Sequence, residues 1–429
     1  MYGAIFGDII GSRFEFDNGG KTKEFELFTK EDNWTDDSVM TIAIMEALVN
    51  AGKDADVETI RKECIKSMQD WGQRYPYAGY GSSFINWVHA KDPKPYNSFG
   101  NGSAMRVSAA GWIYDTVERT REVARATAEV SHNHPEGIKG AECTAAVMFL
   151  ARTGVSKEEI KEYVIREFGY DVSKTVDELR PLHEHIEWCQ DSLPKALASF
   201  FEGDSYEDVV RNAVSLGGDT DTLAAIAGAM GDAMYGVPIG MIVTGIDYLE
   251  EDMKETLDIF RGFLDGEKPD PYRNNKFIKM AAENFSKDRT EDNLYKMLDV
   301  LFRRMMEDGE APVAMVDVNN VLASIDVMGM SKNDTFTLEH GMRLRIDTVQ
   351  RIEGEIWIPL YTDMEELGKM PTTNLTMNMP IYEILKNGLA DDVEGIVINP
   401  FGLALQIPKV IMNIIVKRYE ELKGVKEDV

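Results

Sequence analysis

Apolar residues return every three or four positions over most of the first 263 residues, the period of helices that bury one face. Between Ser38 and Val49, for instance, Val39, Ile42, Leu48 and Val49 alternate with small or polar residues. Capping signals mark other helix starts: Ser156 with Glu159 precedes Ile160 and Val164, and Asp204 with Glu207 precedes Val209 and Val210. Strand-like alternation is scarce, so residues 1–263 are expected to form an all-α domain. The opening run MYGAIFGDIIGSRFE is mostly apolar but lacks a basic leader and is broken by Asp8, and it reads as a buried helix. Leu223 to Val243 is Ala/Gly-rich and carries Asp232 and Pro238, which suits close helix packing in a core; no transmembrane segment is expected.

The pattern changes after a stretch rich in Gly, Pro, Asp and Asn between Gly262 and Lys276, which places a linker over residues 264–288. Thr290 to Met306 is an amphipathic helix with Leu294, Leu298, Leu301 and Met305 on one face. Strands are expected at Val313–Val318, Met342–Ile346, Ile356–Leu360, Gly395–Ile398 and Leu403–Ile407, before a last helix from Lys409 to about Leu422. A chain of 429 residues suits about two domains, here an all-α domain followed by a smaller α+β domain over residues 289–429.

Composition narrows the function classes. Apolar residues make up 44% and charged residues 28%, as in a folded protein. The net charge of −28 opposes condensation onto nucleic acid or anionic lipid, both of which need clustered cations, so neither is an expected partner. Cys64, Cys143 and Cys189 are far apart and show no CxxC spacing, so no disulfide framework or thiolate zinc site is expected, and a reducing cytoplasm fits.

Two short segments carry candidate chemistry: Trp34-Thr35-Asp36-Asp37-Ser38 and Gly217-Gly218-Asp219-Thr220-Asp221-Thr222, each at the entrance to a helical run. Acids and threonines there are ordinary caps that offset the helix dipole. The duplication adds a second reading, because four carboxylates brought together repel unless a cation sits between them. Oxygen-only ligands select a hard ion, Mg²⁺ or Mn²⁺, over zinc. Residues i and i+2 lie about 200° apart on a helix, so Asp219 and Asp221 converge only if the first is still in the loop.

Gly7-Asp8-Ile9-Ile10-Gly11-Ser12-Arg13-Phe14-Glu15, Thr35-Asp36-Asp37, Asn101-Gly102-Ser103-Ala104-Met105-Arg106, Ser131-His132 and Gly217 to Thr222 occur in the order seen in ADP-ribosylglycohydrolases, a family the chain resembles over residues 1–263. The resemblance implies a compact all-α fold with a dinuclear Mg²⁺ centre, Mn²⁺ being the alternative ion, held by Thr35, Asp36, Asp37, Asp219, Asp221 and Thr222. It implies that Glu15, with Asp36 and Asp219, carries the catalysis, and that Gly102, Ser103 and His132 contact ADP-ribose. His132 and His134, or His183, His185 and Cys189, supply no full zinc site and read as structural, as does Arg106.

The activity so implied is removal of ADP-ribose from a protein or small-molecule acceptor. The alternatives are hydrolysis of another ADP-ribose or nucleoside derivative, and a non-catalytic ADP-ribose sensor. Trp71–Trp87 and Asp171–Ser192 are expected at the cleft mouth, where the acceptor would be chosen. Ile356-Trp357-Ile358-Pro359-Leu360-Tyr361-Thr362-Asp363, followed by Gly395-Ile396-Val397-Ile398-Asn399-Pro400-Phe401-Gly402, resembles the SseB-type domain named for enhanced serine sensitivity, which implies a targeting or protein-interaction module. Asn399 to Gly402 reads as a turn closing a strand.

Overall fold

A computed structural model of the chain describes residues 1–17, 20–182, 185–267, 272, 275–306, 308–317, 344–350, 354–371 and 375–424. The chain divides into two compact units, Met1–Lys268 and Pro269–Val429. The first unit is helical: α1 (Gly3–Ser12), α2 (Asp36–Ala51), α3 (Val57–Arg74), α4 (Ser82–Val88), α5 (Gly102–Met105), α6 (Ser108–Ile113), α7 (Val117–Glu129), α8 (Pro135–Arg152), α9 (Lys157–Phe168), α10 (Val176–Leu179), α11 (Cys189–Glu202), α12 (Tyr206–Val214), α13 (Thr220–Tyr235), α14 (Ile239–Ile246) and α15 (Glu251–Leu264).

Two helices organise this unit. α13 is buried from Thr220 to Ala233 and packs against α1, α8, α11 and α12. Its closest neighbour is α1, where Gly3, Gly7 and Gly11 recur once per turn on one face. A Cβ at Gly7 would stand 2.1 Å from the Ala224 carbonyl oxygen, and one at Gly11 would stand 2.5 Å from that of Thr220. Only glycine lets the two backbones approach so closely, and the approach sets both chemical segments beside each other. Asp232, in the middle of the apolar stretch, accepts the amides of Gly3 at 2.9 Å and Val237 at 3.2 Å and so ties the start of α1 to the end of α13. α2 lies against α1, α3 and α15, and its first turn faces that of α13.

Caps follow the sequence at α9, where Ser156 and Glu159 form a capping box. At α12 the cap is Ser205, which accepts the Asp208 amide at 3.1 Å, one residue beyond the Asp204–Glu207 pairing expected. Asp204 instead donates its backbone amide to the Asp208 carboxylate, so the reciprocal bond of a capping box is shifted by one position.

The second unit contains α16 (Lys276–Lys287), α17 (Glu291–Met306), β1 (Glu310–Asp317), β2 (Leu344–Ile346), β3 (Val349–Gln350), β4 (Ile356–Leu360), α18 (Met364–Gly368), β5 (Leu375–Pro380), α19 (Ile381–Asn387), β6 (Gly395–Ile398), β7 (Leu405–Pro408) and α20 (Lys409–Lys423). The strands form two sheets, in the orders β2-β1-β5 and β3-β4-β6-β7. β4 and β6 run parallel, with Ile358 opposite Ile396, and the other pairs are antiparallel. The core gathers Leu301, Met305, Val313, Leu360, Ile384 and Met412. Asn399 closes β6 with a left-handed turn (φ 47°), and its side-chain oxygen accepts the Thr362 amide at 3.0 Å.

The expected linker over 264–288 needs correcting, because α16 occupies most of its second half and buries Ile278 and Ala282 in the core of this unit. The helical spacing of those two residues was masked by the Gly/Pro/Asp-rich stretch before them. Strands β3 and β5 carry no clear alternation, and β5 ends in Pro380 at a sheet edge, where a missing donor is tolerated. Val318, and Met342 with the residue after it, lie outside the described residues. No helix among the described residues is long and apolar enough to cross a membrane.

Candidate functional site

The ends of α1, α2 and α13 converge on one cavity of about 630 Å³, within the range of small-molecule sites. Thr35 is the N-cap of α2 and accepts the Asp37 amide at 3.3 Å, so Asp36 and Asp37 fall in the first turn. Asp219 is the N-cap of α13 and stands outside the helix (φ −83°, ψ 66°), following Gly217 and Gly218, both with positive φ. That non-helical conformation lets the carboxylates of Asp219 and Asp221 meet despite their i, i+2 spacing. Glu15 follows α1 and joins them: one carboxylate oxygen from each of Glu15, Asp219 and Asp221 lies within 4.8 Å of the others.

Thr222 Oγ1 donates to Asp37 Oδ2 at 3.1 Å and ties the two acidic segments together. Asp36, held by its amide donating to the Ala78 carbonyl at 2.8 Å, lines the same cavity, as do Thr35 and Asp37. Thus all six residues expected as ligands face one space, and Glu15 is brought beside two of them.

The electrostatics record the crowding. Burial, with the charge of Asp221 added, pushes Glu15 up to about 7 and raises Asp36, Asp37 and Asp219 well above the usual carboxylate range. Burial also raises Asp221. Asp37 Oδ1 and Asp221 Oδ1 are buried and accept no hydrogen bond among the described residues. A hard cation fits such a set, because it neutralises the like charges and supplies the partner that the orphaned oxygens lack.

Several positioning groups were not legible in the sequence. Asp8, noted there as an interruption of an apolar run, accepts the Thr35 amide at 2.9 Å, the Thr35 hydroxyl at 2.8 Å, the Ser38 amide at 3.0 Å and the Ser38 hydroxyl. Burial and Asp221 push it up to about 7. Asn101 Nδ2 donates to Asp219 Oδ2 at 2.6 Å and to Ser192 Oγ at 3.0 Å. These partners are far apart in the chain, and no local spacing announces them.

At the other end of the cavity Gly102 and His132 form part of the lining. Ser103 does not: its hydroxyl donates to the Gly137 carbonyl at 2.8 Å, because Gly102-Ser103 opens α5 and its second residue turns inward. His134 caps α8, accepting the Glu136 amide at 3.1 Å; His185 stacks on Phe16 and bonds Glu187 at 2.9 Å; and Cys189 is buried. His183 lies outside the described residues. Both segments expected at the mouth contribute to the lining, through Gly79 and Phe84 and through Glu187 and the half-exposed Trp188.

Relatives place this geometry. The chain is 26% identical to an ADP-ribosylhydrolase ARH3 of Gallus gallus, over 55% of this chain and 84% of that one. It is 25% identical to the Homo sapiens protein of that name, over 55% and 84%, and 23% identical to the ADP-ribosylarginine hydrolase Tri1 of Pseudomonas putida (strain GB-1), over 55% and 70%. A solved ADP-ribosylglycohydrolase-related protein complex aligns with 59% of this chain and 92% of its own, at 22% identity and a TM-score of 0.45. The family model of the ADP-ribosylglycohydrolases matches residues 1–257, the whole span that builds the cavity, and the chain therefore belongs to the ADP-ribosylglycohydrolase family, hydrolases acting on glycosyl bonds.

Proposed function

We propose that the protein hydrolyses the bond between C1″ of ADP-ribose and an acceptor, with two Mg²⁺ ions held by Thr35, Asp36, Asp37, Asp219, Asp221 and Thr222. The observation that carries this is the pair of buried, unpartnered carboxylate oxygens on Asp37 and Asp221, one from each acidic segment, facing a single cavity. When bound, the ions would polarise a water and the distal ribose hydroxyls. Mn²⁺ satisfies the same donor set.

Around that centre the chain's own groups have separable tasks. Thr35 commits its hydroxyl proton to Asp8 and one lone pair to the Asp37 amide, which leaves its second lone pair for a ligand. Asn101 restrains Asp219, and Thr222 restrains Asp37. Glu15, beside Asp219 and Asp221, takes the proton of the attacking water or positions that water, whose oxygen bonds to C1″ as the acceptor leaves with a proton. Gly102 and His132 border the other end of the cavity, where the diphosphate and its adjoining ribose would lie.

To test the reading, the purified chain with Mg²⁺ is incubated with substrates ADP-ribosylated on defined acceptors, arginine and serine side chains among them, and products are identified by mass spectrometry. Free ADP-ribose is expected from at least one. A panel that yields none, or yields only products cleaved elsewhere in the nucleotide, refutes it.

Residues 289–429 we read as an SseB-type module that engages a protein partner or protein substrate, and the order of the motifs around Ile356–Asp363 and Gly395–Gly402 supports this. Truncation after Lys268 is expected to spare turnover of a small ADP-ribosylated substrate and to weaken turnover of a protein one; equal loss on both contradicts the reading. The cytoplasm remains the compartment that the isolated, unpaired cysteines fit.

A further inference from the structure

Among the described residues lining the cavity, Arg106 is the sole lysine or arginine. The residue is 1% exposed, and the ionisable groups that act on its charge are Tyr96, Cys64 and Cys189, none of them a carboxylate. Nη2 donates to the Ser131 hydroxyl at 2.8 Å and to the Thr127 carbonyl at 3.0 Å, while Nε is buried without a hydrogen-bond partner. A buried cation without a counter-ion is costly, and it persists where something else needs its field. In a chain of net charge −28, with carboxylates crowding the opposite end of the cavity, an anionic ligand is such a need.

Ser131 passes the polarity on. Its Oγ lies 2.9 Å from His132 Nδ1. The Ser131 hydroxyl, which accepts from Arg106 Nη2, has one proton and Nδ1 within reach, an arrangement suited to donation from the hydroxyl to Nδ1. Burial and the charge of Arg106 hold His132 well below its ordinary range, so the ring is neutral, and with Ser131 donating to Nδ1 its proton would sit on Nε2. That nitrogen faces the glycines of the lining: a Cβ would come within 3.2 Å of it at Gly102 and 3.6 Å at Gly100. Glycine at both positions leaves the N–H open to the cavity.

We propose that Arg106, acting through Ser131, is a positioning residue that fixes His132 as the Nε2–H tautomer and aims this donor at the diphosphate of the ligand, its own uncompensated charge favouring the anion at that end. The inference rests on the reading that the cavity takes ADP-ribose. Ser131 makes the relay one-directional, and Arg106 acts without touching the ligand.

The test uses the full chain labelled with ¹⁵N-histidine, with His132 assigned by comparison with His132→Gln. Long-range ¹H–¹⁵N spectra report the tautomer, and calorimetry with ADP-ribose and Mg²⁺ reports affinity. The wild type is expected to show a neutral Nε2–H ring. Ser131→Ala should give mixed tautomers and a Kd raised about tenfold, as for one lost oriented hydrogen bond. Ser131→Thr, which restores the hydroxyl, should recover both, and the wild-type tautomer is decisive even if the alanine variant does not fold. An Nδ1–H ring in a wild type that binds ADP-ribose normally, or a Ser131→Ala protein with unchanged tautomer and affinity, overturns the relay alone. A wild type with the Nε2–H ring that fails to bind ADP-ribose overturns the diphosphate assignment, and with it the functional reading.

Discussion

Asp37 and Asp221 each bury a carboxylate oxygen that no donor among the described residues satisfies. An unpaired buried charge costs several kcal/mol, so these side chains are neutralised by protons or by a cation, and the choice between the two is the chemistry of the site. Asp221→Ala is expected to reduce ADP-ribose release more than about 100-fold, in keeping with loss of a metal-held water, while the helical circular dichroism is retained. Release at the wild-type rate removes Asp221 from the centre. Glu15→Gln should differ in kind, keeping ADP-ribose affinity within about threefold while turnover falls by roughly 10²–10⁴, the usual contribution of a proton-transfer group. Affinity and turnover falling together would assign Glu15 to binding instead. The acids themselves were readable because they come in two compact, ordered motifs. Asp8 was not: one acid on an apolar helix looks like an interruption, and its partners Thr35 and Ser38 lie 27 and 30 residues away.

At the scale of elements, the site depends on how closely α1 approaches α13. Gly7→Ala would place a methyl 2.1 Å from the Ala224 carbonyl oxygen, which neither backbone can absorb without separating the helices. Overpacking of this kind costs about 1–3 kcal/mol or more. Thermal melts should show that loss, and ADP-ribose release should fall too, because Glu15, which follows α1, moves away from Asp219 and Asp221. An unchanged melting temperature contradicts the packing described. The helices of the first unit were legible because burial on one face imposes a period, and Thr35 and Ser156 announced their caps. Less was legible where the local signal is split: α16 begins directly after a loop-forming stretch, β5 is a sheet edge rich in Met, Asn and Thr, and the α12 cap sits one residue from the better-looking candidate. The meeting of Asp219 with Asp221 was legible only as a condition, that Asp219 stay outside the helix, which its backbone angles meet.

The whole molecule carries a net charge of −28 and concentrates part of it in one buried cluster. Glu15 rises from 4.5 to about 7 and Asp8 from 3.8 to about 7, with Asp36, Asp37 and Asp219 also raised. These carboxyls therefore bind more protons in the folded chain than in the unfolded one from the ordinary carboxylate range up to about 7, and outnumber the depressed His132, which counts in the opposite sense. Stability of the metal-free protein should be highest on the acidic side of that window and fall as pH rises through it. Mg²⁺ must displace those protons, so its stabilisation should be larger above the window than within it. At a hundredfold excess over its Kd it contributes about 2.7 kcal/mol, or roughly 5–10 °C in melting temperature. Melting curves at about pH 5.5 and about pH 8, with and without Mg²⁺, read this directly; a metal-free protein that melts higher at the alkaline pH contradicts it.

The central claim is that two helix entrances hold the cations that cleave the ADP-ribosyl bond. Its most direct measurement is the rate of ADP-ribose release by chelator-treated, full-length protein as Mg²⁺ is restored, using a substrate the wild type has been found to cleave. The account predicts that release stops on chelation and returns to the starting rate as Mg²⁺ is added. Release that continues undiminished after the metal has been removed would contradict it.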